Sequence, residues 1–252
     1  MTETGAALVL RGVRHVWPNG IEALADLDLV LADGSFTALV GPSGCGKSTT
    51  LRIAAGLLAP SAGEVRRAPD GPGAVAVVFQ DPVLLPWTHV LGNIALPLRL
   101  LGLPRAERER RALDALRLVG LDSALHLHPD ELSGGMRMRV SVARALATEP
   151  RLLLMDEPFA ALDEITRFAL DTELLRLWVQ RRFTVLFVTH SVYEAVFLAE
   201  RVLVMSPRPG RIVREIPVDE PHPRARAFRA SVRFAALCGE VLEALEAAGG
   251  DP

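Results

Sequence analysis

Continuous hydrophobic runs alternate with amphipathic segments along most of this chain. The short apolar runs predict buried strands, at residues 7–10, 27–31, 36–40, 74–79, 152–155, 184–188 and 202–205. Apolar positions three or four residues apart predict helices, at 48–58, 107–119, 136–148 and 164–182. A further helix is predicted to open at Ser191, which forms a capping-box pattern with Glu194. Apolar strands that alternate with helices are typical of an α/β fold with a mostly parallel, covered sheet.

The element pattern also predicts how the chain is divided. Residues 83–147 are helical with little strand signal, which predicts a helical subdomain inserted into the sheet domain. The segment 217–252 is rich in Pro, Arg and Ala, and we interpret it as a peripheral C-terminal appendage to a main domain at 1–216.

Composition narrows the class of protein. Half of the 252 residues are hydrophobic, so the chain can bury the core of one large domain or of a domain with an inserted lobe. The net charge of −2 gives no bulk attraction to nucleic acid. Two cysteines form no disulfide framework, and no apolar run approaches the ~20 residues that a membrane-spanning helix needs. If the protein works at a membrane, we expect another chain to supply the membrane segment.

A phosphate-binding loop pattern follows the predicted strand at 36–40. The pattern G-x-x-x-x-G-K-[ST] lies within the consecutive residues Gly41, Pro42, Ser43, Gly44, Cys45, Gly46, Lys47, Ser48 and Thr49. Lys47 is the only lysine among 28 basic residues, at a position where a compact ammonium fits the β- and γ-phosphates and a wide guanidinium does not. Ser48 can place its hydroxyl on Mg²⁺. The loop predicts a nucleoside triphosphate site.

Two further constellations extend the candidate site. Asp156 ends a predicted strand, where its carboxylate can hold Mg²⁺, and Glu157 can orient or deprotonate an attacking water. Taken alone, this pair could be an acidic turn after a strand. Ser133 is a good helix N-cap, and with Gly134 and Gly135 it forms either a plain helix start or a second anion site.

The order of these motifs resembles that of the ATP-binding subunit of an ABC transporter over nearly the full length. Besides the phosphate loop, Gln80 corresponds to the Q-loop, 132–136 to the signature, 152–157 to the Walker B strand, 161–163 to the D-loop and His190 to the switch histidine. The resemblance implies a P-loop NTPase (RecA-like) core with an antiparallel β subdomain and an inserted helical subdomain. It also implies an ATPase that uses ATP and Mg²⁺.

The resemblance further implies that two copies of the chain pair head to tail and enclose each ATP between them. The signature residues would then serve the partner's nucleotide. The implied nucleotide-binding set includes Ser133, Gly134, Gly135 and Asp163.

Three more residues take roles from the resemblance. His190 would reach the γ-phosphate, and Gln80 would touch the metal or the water and report occupancy to membrane subunits. Trp17 lies 24 residues before Gly41, at the family position where an aromatic ring stacks on adenine. The alternative for Trp17 is a side chain packed at a strand edge. With Lys47 and Glu157, His190 and Gln80 make up the implied catalytic set.

Two segments favour an importer branch of the family. Residues 79–87 and 206–212 are similar to those in importers of nitrate, sulfonates, taurine and related small solutes. Leu84, Leu85 and Trp87 form an apolar patch in a Pro-stiffened loop, which is either core or a docking surface for a membrane permease. The implied partners are permease subunits and, indirectly, a solute-binding protein. The implied location is the cytoplasmic face of the bacterial inner membrane.

Two other interpretations stay open at this point. The chain could be the ATPase of an exporter or of a non-transport complex, against which the Leu-Leu-Pro-Trp segment weighs. It could also be a regulatory nucleotide-binding module without turnover. Glu157 weighs against this second alternative, because a switch that does not hydrolyse its nucleotide needs no base there.

Overall fold

The computed structural model describes residues 5–68 and 71–249. Within these ranges the strands are Ala6–Val16 (β1), Glu22–Ala32 (β2), Phe36–Val40 (β3), Ala62–Arg67 (β4), Val75–Val78 (β5), Leu152–Asp156 (β6), Thr184–Val188 (β7), Arg201–Met205 (β8) and Ile212–Pro217 (β9). The α-helices are Lys47–Ala54 (α1), Val90–Leu100 (α2), Arg105–Leu118 (α3), Gly134–Ala147 (α4), Glu164–Arg181 (α5), Val192–Leu198 (α6) and Val232–Gly249 (α7). Every strand and helix that the hydrophobic pattern predicts is present, although β1 and β2 are longer than predicted and α1 is shorter.

A six-stranded sheet forms the centre of the fold, in the order β5-β6-β7-β3-β8-β9. Five of its strands run parallel, and β9 is antiparallel at one edge. Every residue of β3, β6 and β7 is buried, which explains why these strands are continuous hydrophobic runs in the sequence. The predicted α/β fold with a mostly parallel sheet is confirmed.

A second sheet contains three antiparallel strands in the order β2-β1-β4. Leucines of β1 and β2 pack with leucines of β3, β6, β7 and α1 in one buried cluster. This sheet is the antiparallel β subdomain that the family resemblance implies. The hydrophobic pattern misses β4 and β9, because most of their residues are exposed and several are charged.

Three helices, α2, α3 and α4, lie between β5 and β6 in the chain and pack on one another. They span residues 90–147, inside the segment for which an inserted helical subdomain is predicted. Their buried side chains belong to the same hydrophobic cluster as one face of the central sheet. In the described part of the chain, no helix combines the length and the apolar character that crossing a membrane requires.

The C-terminal segment, in its described part, shares the core of the main domain. Helix α7 buries Phe234, Leu237, Cys238 and Val241, which recur at the spacing of one helix face. Before this helix, Arg224 is 4% exposed. Its guanidinium donates to five backbone carbonyl oxygens, those of Val196, Phe197, Ala199, Val218 and Glu220. The described part of the predicted appendage, up to residue 249, is thus packed on the central sheet by apolar contacts and is tied to the end of α6 by Arg224.

We expect Arg224→Ala to lower the free energy of unfolding by about 2–4 kcal/mol, because buried carbonyl groups would lose their donor. Urea unfolding followed by circular dichroism measures this change. The matched control is Arg226→Ala, which removes the same charge from an exposed side chain of the same segment. The control should change the stability by less than about 0.5 kcal/mol. Equal stability of the two variants would contradict the role given to Arg224.

Candidate nucleotide-binding site

Most of the predicted nucleotide-binding residues meet at the carboxyl ends of the central strands. Leu39 of β3 and Asp156 of β6 both pair with Val188 of β7, so the loops after these strands leave the sheet at one level. A cleft of about 470 Å³ lies at this edge. Its lining includes the predicted residues Trp17, Ser43, Gly44, Gly46, Lys47, Ser48, Thr49, Gln80, Glu157 and His190.

The phosphate loop joins β3 to α1 and needs glycine at two of its turns. Gly44 and Gly46 have φ angles of 75° and 109°, in the region that residues with a Cβ rarely adopt. A Cβ at Gly46 would also lie 2.6 Å from the Leu24 side chain and 2.9 Å from the Ala23 carbonyl oxygen. The loop backbone is therefore held tightly against β2.

Lys47 begins α1, and its ammonium group turns back into the loop. Nζ donates to the carbonyl oxygen of Gly41 at 2.7 Å and to that of Pro42 at 3.0 Å. Cys45 is buried beside it, with Sγ 3.9 Å from Nζ. These partners are neutral, so the positive charge of the buried ammonium stays available to an anion in the cleft.

Asp156, the last residue of β6, faces the first turn of α1. The Ser48 hydroxyl donates to Asp156 Oδ1 at 3.1 Å, and Asp156 is 5% exposed. Burial raises the pKa of the Asp156 carboxyl, the Ser48 hydrogen bond opposes this rise, and the Glu157 carboxylate adds to it. Hydroxyl and carboxylate oxygens are hard donors of the kind that bind Mg²⁺, and a divalent cation would favour the ionised carboxylate. The oxygen pair therefore fits a magnesium ion.

Glu157 and His190 approach each other across the ends of β6 and β7. His190 Nδ1 lies 3.2 Å from Glu157 Oε2. Glu157 has a φ of 47°, a left-handed conformation that costs free energy, and its N–H donates to the Val188 carbonyl at 2.9 Å. A carboxylate positioned in this way on the cleft can accept a proton from a water molecule.

The segment that carries His190 is tied to the D-loop. The predicted N-cap is confirmed, since Ser191 Oγ accepts the Glu194 N–H at 3.3 Å. The prediction of a full capping box is wrong, because the Glu194 carboxylate does not accept the Ser191 N–H. The Glu194 carboxylate accepts a hydrogen bond from the Thr189 hydroxyl instead. Thr189 Oγ1 in turn accepts the Ser191 N–H at 3.0 Å. Arg167 lies 3.6 Å from Glu194 and donates to a D-loop carbonyl, that of Leu162, at 2.9 Å.

Trp17 forms one wall of the cleft, in a turn after β1. Trp17 N–H donates to the Ile21 carbonyl at 2.9 Å, and Gly20 N–H donates to the Trp17 carbonyl at 2.9 Å. The His15 ring packs edge-on against Trp17, with ring centroids 4.6 Å apart, and His15 is 6% exposed. His15 as a support for Trp17 is not predicted from the sequence, because a single histidine in a strand belongs to no motif.

The signature turn does not line the cleft of its own chain. Ser133 caps α4, since its Oγ accepts the Met136 N–H at 3.2 Å, as its predicted N-cap role requires. Ser133 and Gly134 are exposed. A Cβ at Gly135 would lie 2.8 Å from Leu162 Cδ2, so the glycine permits close contact between the signature turn and the D-loop.

Asp163 also lies outside the cleft of its own chain. Its Oδ1 accepts the Thr166 N–H at 2.9 Å, which caps α5. The hydrogen bonds with Thr166 lower the pKa of the Asp163 carboxyl. An exposed polar surface of the same molecule therefore combines the signature turn with the start of α5.

The cleft has one charged lining residue, Arg208, that is not predicted from the sequence. The Arg208 guanidinium donates from Nε and Nη2 to the Gly44 carbonyl oxygen, at 3.2 and 3.1 Å. In the sequence, the segment 206–212 indicates only a branch of the family. The contact with Gly44 joins positions 164 residues apart, which a local pattern does not reveal.

The loop after Gln80 is held firmly and exposes apolar side chains. Asn93, fully buried, donates to the carbonyl oxygens of Leu85, Thr88 and His89 and accepts the Leu85 N–H at 2.7 Å. Val83 and Trp87 are 65% and 75% exposed. Leu84, in contrast, packs against the main hydrophobic cluster. The predicted apolar patch is therefore divided, with Leu84 turned to the core and Trp87 to the surface.

The chain matches known proteins over most of its length. The family described as ABC transporter matches residues 24–160. The taurine import ATP-binding protein TauB of Rhizobium johnstonii is 47% identical over 230 residues, which cover 88% of each chain. TauB of Pseudomonas aeruginosa PAO1 is 46% identical over 237 residues, which cover 89% of this chain and 90% of that protein. The solved dimeric structure of the ATP-binding cassette MJ0796 with ADP and Pi superposes with a TM-score of 0.78 at 32% identity, covering 85% of this chain and 100% of that one.

The chain therefore belongs to the ABC transporter family. It is an ABC ATPase with the P-loop NTPase fold, as the order of its motifs predicts.

We expect Lys47→Arg to reduce ATP turnover by about two orders of magnitude, the loss typical of one preorganised donor. The planar guanidinium is wider than the ammonium that fits between the Gly41 and Pro42 carbonyl groups. A phosphate-release assay measures the change, with Arg211→Lys as a control at an exposed position outside the cleft. Wild-type turnover in Lys47→Arg would contradict the claim that a guanidinium is too wide for the position of the Lys47 ammonium.

Proposed function

We propose that this chain is the ATP-hydrolysing subunit of an importer for a small solute of the taurine, sulfonate or nitrate class. It acts on a separate membrane permease, at the cytoplasmic face of the bacterial inner membrane. The observation that carries the proposal is the cleft on which Lys47, Ser48, Glu157 and His190 converge, with Asp156 behind Ser48. The similarity to two taurine import ATP-binding proteins supports the importer branch.

ATP binds with its adenine against Trp17 and its phosphates in the loop at 41–49. Backbone N–H groups and the start of α1 provide positive potential for the phosphates, and Lys47 adds a full charge. Ser48 and Asp156 would hold Mg²⁺, and Gln80 lines the same cleft. When bound, Mg²⁺ neutralises charge on the β- and γ-phosphates.

Glu157 and His190, at the ends of β6 and β7, carry out the hydrolysis. Glu157 orients a water and accepts its proton as the water oxygen attacks the γ-phosphorus. The bond from the γ-phosphorus to the bridging oxygen breaks, which yields ADP and inorganic phosphate. His190 donates a hydrogen bond to a γ-phosphate oxygen, and its contact with Glu157 holds the two groups in a fixed relation.

Two copies of the chain complete each site. Within one molecule the signature turn lies outside the cleft, and Ser133 and Gly134 are exposed. In a head-to-tail dimer, Ser133, Gly134 and Gly135 close over the partner's ATP, and Asp163 lies at the same interface. The dimeric state of the MJ0796 cassette supports this arrangement.

The loop at 79–87 transmits nucleotide occupancy to the permease. Gln80 lines the cleft at the start of this loop, and Trp87 is exposed near its end. Arg144 donates to the carbonyl oxygens of Pro82 and Val83, both at 2.9 Å, so the loop is attached to α4 of the helical subdomain. A solute-binding protein delivers the solute to the permease.

We expect Glu157→Gln to lower turnover by about 10²–10⁴-fold, because the amide cannot accept the proton of the water. ATP binding survives, so the variant should elute as a dimer in gel filtration with Mg-ATP. Glu109→Gln, which changes a half-exposed carboxylate on α3, is the control and should behave as wild type. If Glu157→Gln stays monomeric at high protein and ATP concentrations, the composite-site arrangement is incorrect.

We expect Trp87→Ala to weaken binding to the permease by about 30-fold, the effect of losing one interfacial aromatic anchor. Its basal ATPase activity should match wild type, because Trp87 does not line the cleft. Binding is measured with the permease in nanodiscs, after the permease has been identified by co-purification. Val232→Ala, at an 88% exposed apolar side chain on α7, is the control. If Trp87→Ala and Val232→Ala bind the permease with equal affinity, the loop at 79–87 is not part of the docking surface.

A further inference from the structure

The connection between β8 and β9 lies directly against the phosphate loop. Gly210 N–H donates to the Ala23 carbonyl at 2.9 Å, and its own carbonyl accepts the Ala25 N–H at 3.2 Å. A Cβ at Gly210 would overlap the Cys45 carbonyl oxygen, so the two loops are in close contact. Ser206 N–H donates to the Arg211 carbonyl at 2.9 Å, which closes the connection into a compact loop. Arg208 is thus presented from a fixed backbone.

The guanidinium of Arg208 is bonded to the backbone of the phosphate loop. Its hydrogen bonds in the described part of the chain go to the neutral Gly44 carbonyl and to no carboxylate. Some arginines pair with acids, as Arg111 does with Glu107 at 2.6 Å, and others, such as Arg144 and Arg224, also bond to carbonyl oxygens. Of these four arginines, Arg208 is the one that lines the cleft. A guanidinium has five N–H donors, so most of those on Arg208 remain available after the contact with Gly44.

The position of Arg208 relates it to the phosphates. It lines the same cleft as Lys47 and Trp17, and it bonds to Gly44, a residue of the phosphate loop. Phosphate oxygens are stronger acceptors for a guanidinium than a peptide carbonyl, and the planar fork matches their geometry. A cation without an acidic partner at this rim is therefore suited to a polyanion that enters the cleft.

We propose that Arg208 is a nucleotide-binding residue that contacts the phosphate chain of ATP. The inference rests on the proposed function, since it requires a nucleotide in this cleft. Arg208 adds a second cationic side chain to the site, from a part of the chain that lies far from the phosphate loop in sequence. It stabilises bound ATP and ADP alike and takes no part in moving the proton of the attacking water.

The test measures dissociation constants of ATP, ADP and adenosine by isothermal titration calorimetry. Arg208→Ala should raise the dissociation constants of ATP and ADP by about three- to tenfold, which is the effect of losing one exposed charged contact. The dissociation constant of adenosine should not change. The affinity of Arg208→Lys for ATP and ADP should lie between those of Arg208→Ala and wild type. The difference in ATP affinity between wild type and Arg208→Ala should become smaller as the salt concentration is raised from about 0.05 to 0.5 M, because salt screens an exposed charge.

Arg211→Ala is the matched control. It removes an arginine from the same loop, and that arginine is exposed and lies outside the cleft. We expect it to bind all three ligands as wild type does. Because Arg208 is itself exposed, its variants should keep the wild-type urea midpoint, which separates a binding effect from unfolding.

Three results would overturn the proposal. The first is wild-type ATP affinity in Arg208→Ala, the second is an equal loss for adenosine, and the third is a loss confined to kcat with unchanged dissociation constants. A Lys47→Ala variant that loses ATP binding while Arg208→Ala retains it would reject this proposal and leave the proposed function intact.

Discussion

The parallel register of β3, β6 and β7 is the constraint on which the site depends. Leu39 and Asp156 are aligned through Val188, so the phosphate loop, Glu157 and His190 emerge together at one edge. A shift of one residue in β6 would turn Asp156 to the opposite face and remove it from Ser48. All residues of the three strands are buried, so the hydrophobic core that stabilises the sheet also sets the positions of the reacting groups.

The charged groups of the cleft are positioned by neutral partners. Lys47 is held by two backbone carbonyl groups and Asp156 by the Ser48 hydroxyl. Glu157 is held in a left-handed conformation by a backbone hydrogen bond to the adjacent strand. Donors and acceptors that are fixed before the ligand arrives need little reorganisation during the reaction, which is the basis of electrostatic preorganisation. In the head-to-tail dimer that we propose, the exposed Ser133 turn supplies the closing half of the site.

How far the sequence predicts the structure depends on the range of each interaction. The buried strands, the phosphate loop and the Ser133 N-cap are predicted well, because their pattern is local and their geometry follows from a few neighbouring residues. Arg208 is missed because a tertiary contact across 164 residues places it on the cleft. His15 lies only two residues from Trp17, but it is missed because a single histidine in a strand belongs to no motif. The capping box at Ser191 is half wrong because the buried Glu194 carboxylate accepts from the Thr189 hydroxyl, five residues away, instead of from the Ser191 N–H. β4 and β9 escape the pattern because edge strands with exposed charged residues show no hydrophobic run.

Complementation between two inactive variants tests the central claim most directly, namely that each site combines the cleft of one molecule with the Ser133 turn of another. Glu157→Gln disables the cleft, and Ser133→Arg disables the signature turn. A mixed dimer of these variants contains one site with both defects and one site with none. The account predicts that mixing restores ATP turnover to a fraction of the wild-type rate, although each variant alone is inactive. A mixture that stays as inactive as its separate components would contradict the account, because it would mean that the cleft and the signature turn must be intact in the same molecule.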